Sequence, residues 1–345
     1  MYHDNVYLAG VGSYFPKAVP VDEAVAQGRY DAASQARTEQ RSVAVAGDGD
    51  GQPEMAVRAG RIALGRSAHQ SKEVELLLHA VAVYSGLDGW NCASYLQNEI
   101  LGGAGISFEI RQVSNGALGS VELAVPFLNA VPGRDAALIT AAESFAEPAW
   151  NRWRADSGLV FGDGASAVLL STRGGFARLL SSATETATEL EGVHRGDAPF
   201  QPSPDPSAYP LDLHARAVEF ADRMDMDTIH EIGSAGLRRA AELAAADAGM
   251  ALDEATVYVV PNFGARLLRQ QVLEPIGVPI ERTTHAWGAT VGHVGAADQF
   301  GALDHLVEQG SVGPGDRVML IGVGGGFNWT CLVVEILRRP AWAST

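Results

Sequence analysis

The sequence predicts an α/β protein built from two similar units, and three observations support this. Hydrophobic residues make up 47% and charged residues 19% of the 345 residues, which is enough apolar surface for more than one small core. Short apolar runs typical of buried strands alternate with segments of helical periodicity. Two glycine-rich turns each lead into a strand-like run, FGDGASAVLLS at 161–171 and GVGGGFNWTCLVVEI at 322–336. We therefore expect one unit over residues 1–172 and a second over 173–345.

In the first unit, strands are predicted where apolar residues form short runs, and helices where apolar residues recur at helical spacing. The predicted strands are 5–12, 74–83, 107–111, 135–142 and the run that follows the glycine turn within 161–171. The predicted helices are 54–64, 91–101 and 117–130, the last with Pro126 near its middle.

The second unit opens with a change in composition. Residues 184–215 are polar and rich in proline, aspartate and serine, so we expect a long loop there. The run THAWGATVGHVGAADQ at 284–299 predicts no regular helix before about Ala296, because glycine disfavours helices. The remaining predicted elements are helices within 216–250, 266–273 and 299–309, and strands at 255–261, 316–322 and 328–337.

The bulk composition excludes several functional classes. The formal net charge of −16 disfavours a nucleic-acid partner, since phosphate binding needs a basic surface. Cys92 and Cys331 both have apolar surroundings, so we expect neither a disulfide framework nor a metal site. The N-terminus does not resemble a signal peptide, and no apolar run is long enough to cross a membrane. These features predict a cytoplasmic protein.

The stretch RQVSNGALGS at 111–120 places Ser114 where a predicted strand runs into a predicted helix. The simpler interpretation is that Ser114 caps the helix by accepting a hydrogen bond from a free backbone amide. Alternatively, Ser114 is a nucleophile at the positive end of the helix, where free amides stabilise developing negative charge. A serine nucleophile needs a base, and that base needs a partner that orients it.

The histidines are the candidates for this base. His285 and His293 lie in the glycine-rich run, where the backbone can approach a ligand closely. Asp298 follows His293 by five residues, and its carboxylate could accept an imidazole N–H and fix the tautomer. The alternative is that Asp298 only complements the dipole of the next helix. Other histidines have contexts that predict bland roles: the surface for His3, His69 and His230, the core for His79, and the solvated loop for His194.

The sequence resembles ketoacyl-acyl-carrier-protein synthase III in four segments that occur in the same order. These are the turn at Ser114, FGDGASAVLL, VVPNFGARLL and GHVGAADQFGALDHLVEQGSVGPGDRVMLIGVGGGFNW. The resemblance covers nearly the whole chain. It implies the thiolase fold, with duplicated βαβαβαββ halves in a five-layered α-β-α-β-α arrangement, and a homodimer. It also implies an acyl group taken from coenzyme A or an acyl carrier protein, without a permanently bound cofactor.

The family's catalytic residues are a cysteine, a histidine in a V-P-H-Q-A-N motif and an asparagine in an H-G-N motif. Ser114, Asn262 and His293 occupy these positions here, so all three differ. Together with Asp298 they resemble the triad of a natural-product branch of the family. That branch contains a daunorubicin-type priming protein with a serine nucleophile and a cervimycin-type acyltransferase with a cysteine. The resemblance also places His194 at a second active-site histidine of the serine-bearing type.

The resemblance therefore predicts an acyltransferase of polyketide-type secondary metabolism, which forms an ester on Ser114 and passes it to a carrier-protein thiol or a small-molecule hydroxyl. The oxyanion would be bound by the backbone amides of Ser114 and of the turn at Gly326 and Phe327. Two alternatives remain: a starter-unit ketosynthase that condenses an acyl-CoA with a malonyl carrier protein, and a catalytically silent partner subunit. A serine engineered at a cysteine position would give the same sequence.

Three arginines are candidates for donor binding. Arg37 lies in ARTEQR, which resembles the family segment that contacts coenzyme A, although the family's preceding tryptophan is missing. Arg266 and Arg269 follow VVPNFGA, where the family docks its carrier protein. The alternative for both is an ordinary solvated charge on a helix.

Overall fold

A computed structural model of the protein describes residues 1–103 and 105–343. Its strands are β1 (Tyr7–Tyr14), β2 (Ala18–Pro20), β3 (Ser42–Ala44), β4 (Val74–Ala80), β5 (Ile106–Ile110), β6 (Ala136–Glu143), β7 (Gly164–Ser171), β8 (Ala177–Thr186), β9 (Val257–Val259), β10 (Arg317–Gly324) and β11 (Asn328–Ile336). Its helices are α1 (Val21–Ala26), α2 (Ala32–Thr38), α3 (Gln52–Gly65), α4 (Cys92–Leu96), α5 (Gly116–Ala130), α6 (Leu213–Ala221), α7 (Met226–Asp247), α8 (Ala265–Leu268), α9 (Glu274–Ile276), α10 (His285–Val291) and α11 (Asp298–Glu308).

Nine strands form one mixed sheet in the order β5-β4-β6-β7-β1-β8-β11-β10-β9, and β2 pairs with β3. The first five strands of this order come from residues 7–171 and the last four from residues 177–336. The two groups meet where β1 pairs with β8 over two residues of each strand. Parallel pairs lie near both edges, β4 with β5 and β6, and β9 with β10.

The helices complete five layers. α5 contacts β4 and β6 on one side and β8 and β11 on the other, and α11 contacts β1, β7, β9 and β10. These two helices therefore lie between the two groups of strands. α3 covers the outer face of the first group, against β1, β6 and β7, and α7 covers the outer face of the second, against β8 and β11. The α-β-α-β-α order expected of the thiolase fold is confirmed.

Each helix layer packs against the strands through its own cluster of buried apolar side chains. The central core includes Leu118 of α5 and Phe300 of α11, both almost fully buried. The outer core under α3 includes Met55, and that under α7 includes Leu237. Cys92 and Cys331 are buried free thiols, and burial raises the pKa of each to about 12. No helix in the described residues is long and apolar enough to cross a membrane.

Strand β8 lies inside the sheet, between β1 and β11, although the sequence predicts no strand at its start and a loop from residue 184. Its apolar pattern is interrupted by Ser181 and Ser182, which look like loop residues. Both are buried and hydrogen-bonded: Ser181 Oγ donates to the carbonyl of Ala244 at 2.6 Å, and Ser182 Oγ lies 2.9 Å from His3 Nε2. Polar side chains with partners of this kind can occupy a central strand.

Two further expectations are wrong. The glycine-rich run contains a helix, α10, although no regular helix is predicted there. Gly288 does not break this helix, and its missing side chain leaves room for Asn262, whose Oδ1 would lie 2.5 Å from a Cβ at that position. His3 and His69 are buried, not at the surface, and each ring meets a serine hydroxyl. Burial lowers the pKa of His3 to about 4, so its imidazole is neutral near pH 7.

Candidate active site

Ser114 lies on a tight turn that leads from β5 into the central helix layer. A 3₁₀ turn spans Val113–Asn115, and α5 begins at Gly116. Val113 has a φ of 48°, which is rare for a β-branched residue and indicates a strained backbone next to Ser114. The Ser114 hydroxyl is bonded to His293 rather than to the backbone of α5, so the capping interpretation is wrong.

Ser114, His293 and Asp298 form one hydrogen-bonded chain. Ser114 Oγ lies 2.8 Å from His293 Nε2, and His293 Nδ1 lies 2.6 Å from Asp298 Oδ2. His293 is 2% exposed and Asp298 is fully buried, whereas Ser114 is half-buried. When Nδ1–H donates to the carboxylate, Nε2 carries the lone pair that accepts the serine proton. The arrangement therefore has the geometry of a nucleophile, a base and an orienting acid.

Asp298 accepts four hydrogen bonds. Oδ2 accepts from His293 Nδ1 and from the backbone amide of Asn262 at 2.8 Å. Oδ1 accepts from the backbone amide of Val294 at 2.7 Å and from Asn262 Nδ2 at 3.1 Å. Four donors to a buried carboxylate stabilise its charged form and hold it in one orientation. Asn262 was predicted to be catalytic, but its contacts make it a residue that positions Asp298.

His293 is held by the FGDG turn from the first group of strands. Its backbone amide donates to the carbonyl of Val160 at 2.8 Å, and its carbonyl accepts from the amide of Gly162 at 2.9 Å. Its ring packs between Phe161 and Phe263, with centroids 5.8 and 5.3 Å away. The glycine turn therefore fixes the position of the histidine, a role that its sequence alone did not indicate.

A cavity of about 300 Å³ opens in front of Ser114 and His293. His194 lies in its wall rather than in the solvated loop, half-buried and with its ring 5.2 Å from that of Phe327. Burial lowers the pKa of His194, so it is neutral near pH 7. The wall is largely apolar, as expected of a site for a small organic group; its apolar side chains include Leu159, Leu190, Val193, Phe263, Phe327 and Trp329.

The glycine turn after β10 corrects one prediction. The Phe327 amide donates to the carbonyl of Ala187 at 3.1 Å, and the Ala187 amide donates back to Phe327 at 2.9 Å. Because this amide is already bonded, the prediction that Phe327 supplies an oxyanion donor is wrong. Gly325, rather than Gly326, lines the cavity beside Ser114.

Arg37 and Arg266 line a second cavity of about 280 Å³, which shares Ser157 and Leu267 with the first. Both side chains are exposed, so the two positive charges lie at the surface beside the cavity of Ser114. We call the Ser114 cavity the inner end of the candidate site and the Arg37 and Arg266 cavity its outer end. Arg269 instead pairs with Glu39 at 3.0 Å on the surface. The structure thus brings together two of the three predicted arginines.

Sequence reasoning did not identify two residues, one that lines the cavity and one directly behind the nucleophile. Gly325 is the middle residue of three consecutive glycines, and spacing alone cannot decide which of their amides faces the nucleophile. Asn115 follows Ser114 directly and is 1% exposed, and a polar residue at the start of a largely apolar helix is the sequence signal that marks it.

Comparisons with known proteins relate the chain to the 3-oxoacyl-[acyl-carrier-protein] synthases III. A family model for the C-terminal part of 3-oxoacyl-[acyl-carrier-protein] synthase III matches residues 245–336, which include His293 and Asp298. A β-ketoacyl-[acyl-carrier-protein] synthase III from Gloeobacter violaceus is 25% identical over 334 residues, covering 96% of this chain and 98% of its own length.

Two solved structures are similar to the chain over nearly its whole length. The structure of ChlB3, an acyltransferase, is 34% identical, covers 99% of this chain and 100% of its own, and superposes with a TM-score of 0.93. The priming β-ketosynthase from the R1128 polyketide biosynthetic pathway is 21% identical, covers 98% of both chains and has a TM-score of 0.79, which indicates the same fold.

Proposed function

We propose that this protein is an acyltransferase, which forms an ester on Ser114 and passes the acyl group on intact. The chain belongs to the 3-oxoacyl-[acyl-carrier-protein] synthase III family. The observation that carries this proposal is the hydrogen-bonded chain of Ser114, His293 and Asp298, with contacts of 2.8 and 2.6 Å. The likeness to ChlB3, an acyltransferase, points the same way.

Acylation would follow the chemistry of a serine nucleophile. Ser114 Oγ attacks the thioester carbonyl carbon while His293 Nε2 takes the hydroxyl proton. Asp298 keeps the Nδ1–H in place and stabilises the imidazolium that forms. The C–S bond then breaks, and His293 returns the proton to the departing sulfur of coenzyme A or of a carrier protein's phosphopantetheine. The product is an oxygen ester on Ser114.

The developing oxyanion would be bound by two backbone amides. One is that of Ser114, at the start of the central helix α5, where the helix dipole favours negative charge. The other is that of Gly325, which lines the same cavity. Removal of a single donor of this kind costs about 10²- to 10³-fold in rate in other enzymes, so the two amides are expected to contribute substantially to ester formation.

In the second step an acceptor thiol or hydroxyl attacks the ester carbon. His293 takes the acceptor's proton and then gives it to Ser114 Oγ as the ester bond breaks. The acyl group leaves on the acceptor, and the enzyme returns to its starting state. His194 lies in the same cavity in its neutral form, so it is a second candidate to accept a proton or orient the acceptor.

Asn262 favours transfer over decarboxylative condensation. Condensation produces an enolate whose oxygen needs hydrogen-bond donors. Asn262 occupies the family's histidine position, yet its Nδ2 donates to Asp298 Oδ1 at 3.1 Å and to the carbonyl of Gly292 at 2.9 Å. Both of its N–H bonds are therefore engaged inside the protein. His293 would be left as the single side-chain donor of the pair that the family uses.

The acyl donor is proposed to be an acyl-CoA or an acyl carrier protein. Arg37 and Arg266 put two positive charges at the cavity next to that of Ser114, in a chain whose net charge is −16. A local basic rim on an acidic protein suits the phosphates of coenzyme A or of phosphopantetheine. Arg269 is paired with Glu39, so we assign it a smaller part in carrier docking.

We also propose a homodimer formed along β5. This strand is at the edge of the nine-stranded sheet, so one side of its backbone is open to pairing. Ile106 and Phe108 on this strand are 43% and 53% exposed. Tyr84 and Leu87, which follow β4 in the sequence, are also exposed. An apolar sheet edge of this kind is suited to a second copy of the chain.

A starter-unit ketosynthase remains the second candidate, because the curated relatives are β-ketoacyl-[acyl-carrier-protein] synthases III. A catalytically silent subunit is less well supported, since it would leave the bonded chain of Ser114, His293 and Asp298 without a purpose.

One experiment separates these candidates. The protein is incubated with a panel of acyl-CoAs, a carrier protein and malonyl carrier protein labelled at its free carboxyl group. We expect acyl groups to move to the carrier thiol or to an added hydroxyl acceptor without release of labelled carbon dioxide. Release of carbon dioxide in step with a new carbon–carbon bond would identify a ketosynthase. Absence of any donor consumption would support the silent subunit.

A further inference from the structure

We propose that Asn115 is a positioning residue that fastens the Ser114 turn to the glycine turn after β10, and so sets the distance between the nucleophile and the Gly325 amide. This proposal rests on the proposed ester at Ser114. It concerns a side chain that lies behind the reacting atoms and lines neither cavity.

The Asn115 side chain bridges two elements that are far apart in sequence. Its Nδ2 donates to Asn328 Oδ1 at 2.5 Å and to Thr330 Oγ1 at 2.8 Å. The Thr330 hydroxyl is in turn 2.9 Å from that of Thr184 on β8. Asn115 is 1% exposed, so water does not compete for these bonds. The turn that carries Ser114 is thereby tied to the first residues of β11.

The backbone of β10 is shaped to receive this side chain. A Cβ on Gly322 would collide with Asn115 Oδ1. A Cβ on Gly324 would lie 2.8 Å from Asn115 Cβ and 2.6 Å from the carbonyl of Gln112. Both glycines therefore allow the Ser114 turn to pack directly on the end of β10. Gly325, the proposed oxyanion donor, is the next residue along the chain.

The backbone before Ser114 requires such support. Val113 has a φ of 48°, and a β-branched residue reaches this region only when the surrounding structure enforces it. Within the turn itself, the Asn115 amide donates to the carbonyl of Gln112 at 3.2 Å, a weak restraint. The bonds to Asn328 and Thr330 supply the stronger restraint from outside the turn.

Stability alone does not account for this pair of asparagines. Among the described residues, Asn115 Oδ1 and Asn328 Nδ2 are buried without a hydrogen-bond partner. Each orphaned atom makes the folded state less favourable, and packing at this place could be met by apolar side chains. A costly polar contact directly behind a nucleophile is what a positioning role predicts.

The consequence is a fixed geometry at three points. Ser114 Oγ must lie within reach of His293 Nε2, of the substrate carbonyl and of an oxyanion that faces Gly325. A displacement of about 1 Å at such a site lowers rates by about 100-fold. Loss of the Asn115 bonds would release the strained turn and move Ser114 relative to Gly325, while the base and the cavity stay in place.

The test uses the full chain and 4-nitrophenyl acetate, a small ester that acylates a nucleophile without carrier docking. The burst of nitrophenolate and the mass of the acetylated protein give the rate of ester formation. We expect Asn115→Ala and the equally sized Asn115→Asp to slow this rate by about 100-fold, with little change in KM. The aspartate keeps the volume but has no N–H to donate. Thr330→Ser should keep the wild-type rate, because it retains the hydroxyl acceptor.

Ser120→Ala is the matched control. Ser120 is fully buried one turn along α5, and its hydroxyl donates to the carbonyl of Gly116 at 2.6 Å. We expect it to lower the melting temperature without a change in the rate. If Asn115→Ala acylates as fast as Ser120→Ala, the positioning role is wrong.

Hydrogen exchange provides a readout that does not depend on acylation. We expect the amides of residues 112–117 to exchange faster in Asn115→Ala than in wild type, whereas the amides of β10 and β11 stay protected. Unchanged exchange at the turn would overturn the proposal. Wild-type protein that is never acetylated would count against the ester on Ser114, and the exchange experiment would still decide the role of Asn115.

Discussion

The two ends of the candidate site, the Ser114 cavity and the Arg37 and Arg266 cavity, are built on different physical principles. At the inner end, Ser114, His293 and Asp298 are joined by short hydrogen bonds, and the last two are almost fully buried. At the outer end, Arg37 and Arg266 are exposed side chains that act through charge. The inner end is fixed by geometry and isolated from salt, whereas the outer end is adaptable and screened by salt.

This difference predicts how each end fails. At the inner end, the loss of one donor or acceptor leaves a buried partner unsatisfied, so effects are large and fall on the rate of the chemical step. At the outer end, the loss of one charge weakens an attraction that other charges and water partly replace, so effects are small and fall on donor binding.

The largest effect is expected for Asp298→Asn. This change keeps the size of the side chain but favours the wrong imidazole tautomer, because an amide N–H would face His293 Nδ1. By analogy with the same change in a serine protease, ester formation should slow by about 10⁴-fold. Quenched-flow measurement with mass detection would check this. A loss below tenfold would mean that Asp298 only supports the fold.

Asn262→Asp should have the next largest effect. It removes an N–H donor and places a second carboxyl group against Asp298, which is fully buried. Two carboxylates that share a buried site raise the pKa of one of them. We therefore expect the acid limb of the pH–rate profile to move to higher pH, and the free energy of unfolding to fall by about 3 kcal/mol. A pH–rate profile equal to that of wild type would mean that Asn262 does not position Asp298.

A much smaller effect is expected for Arg266→Glu. Charge reversal at the outer cavity should raise KM for a carrier-bound acyl donor about tenfold at low salt, and the difference should shrink as salt screens the charges. The rate with 4-nitrophenyl acetate should not change. Arg269→Glu is the control, since Arg269 is already paired with Glu39, and its effect should be about twofold. Equal effects of the two variants would contradict a specific role for Arg266.

The inner end was also the easier of the two to predict from sequence. Ser114 and Asp298 each have an ordinary alternative role at a helix start, and the family resemblance is what predicts that they act together with His293. The structure brings all three together. The outer arginines have many ordinary roles on a helix surface, and nothing in the sequence separates Arg266, at the cavity, from Arg269, in a surface ion pair. Pairing with Glu39 depends on the packing of α2 against α8, which spacing along one chain does not reveal.

The fold shows the same division. Strands and helices with continuous apolar patterns, such as β6 and α11, were predicted within a residue or two of their ends. Elements were not predicted where polar residues or glycines interrupt the apolar pattern because they contact residues that are distant in sequence. β8 contains Ser181 and Ser182, which find partners only after folding, and α10 contains Gly288, which accommodates Asn262. In both places a local rule gave way to a contact made by distant residues.

The most direct test of the account is the mass of the intact protein after incubation with a panel of acyl-CoAs and acyl carrier proteins, beside a Ser114→Ala variant. We expect one donor to add one acyl group to the wild-type chain, located by peptide mapping on Ser114. The variant should remain unmodified. No adduct from any donor, or an adduct that persists in Ser114→Ala, would contradict the central claim that acyl transfer proceeds through Ser114.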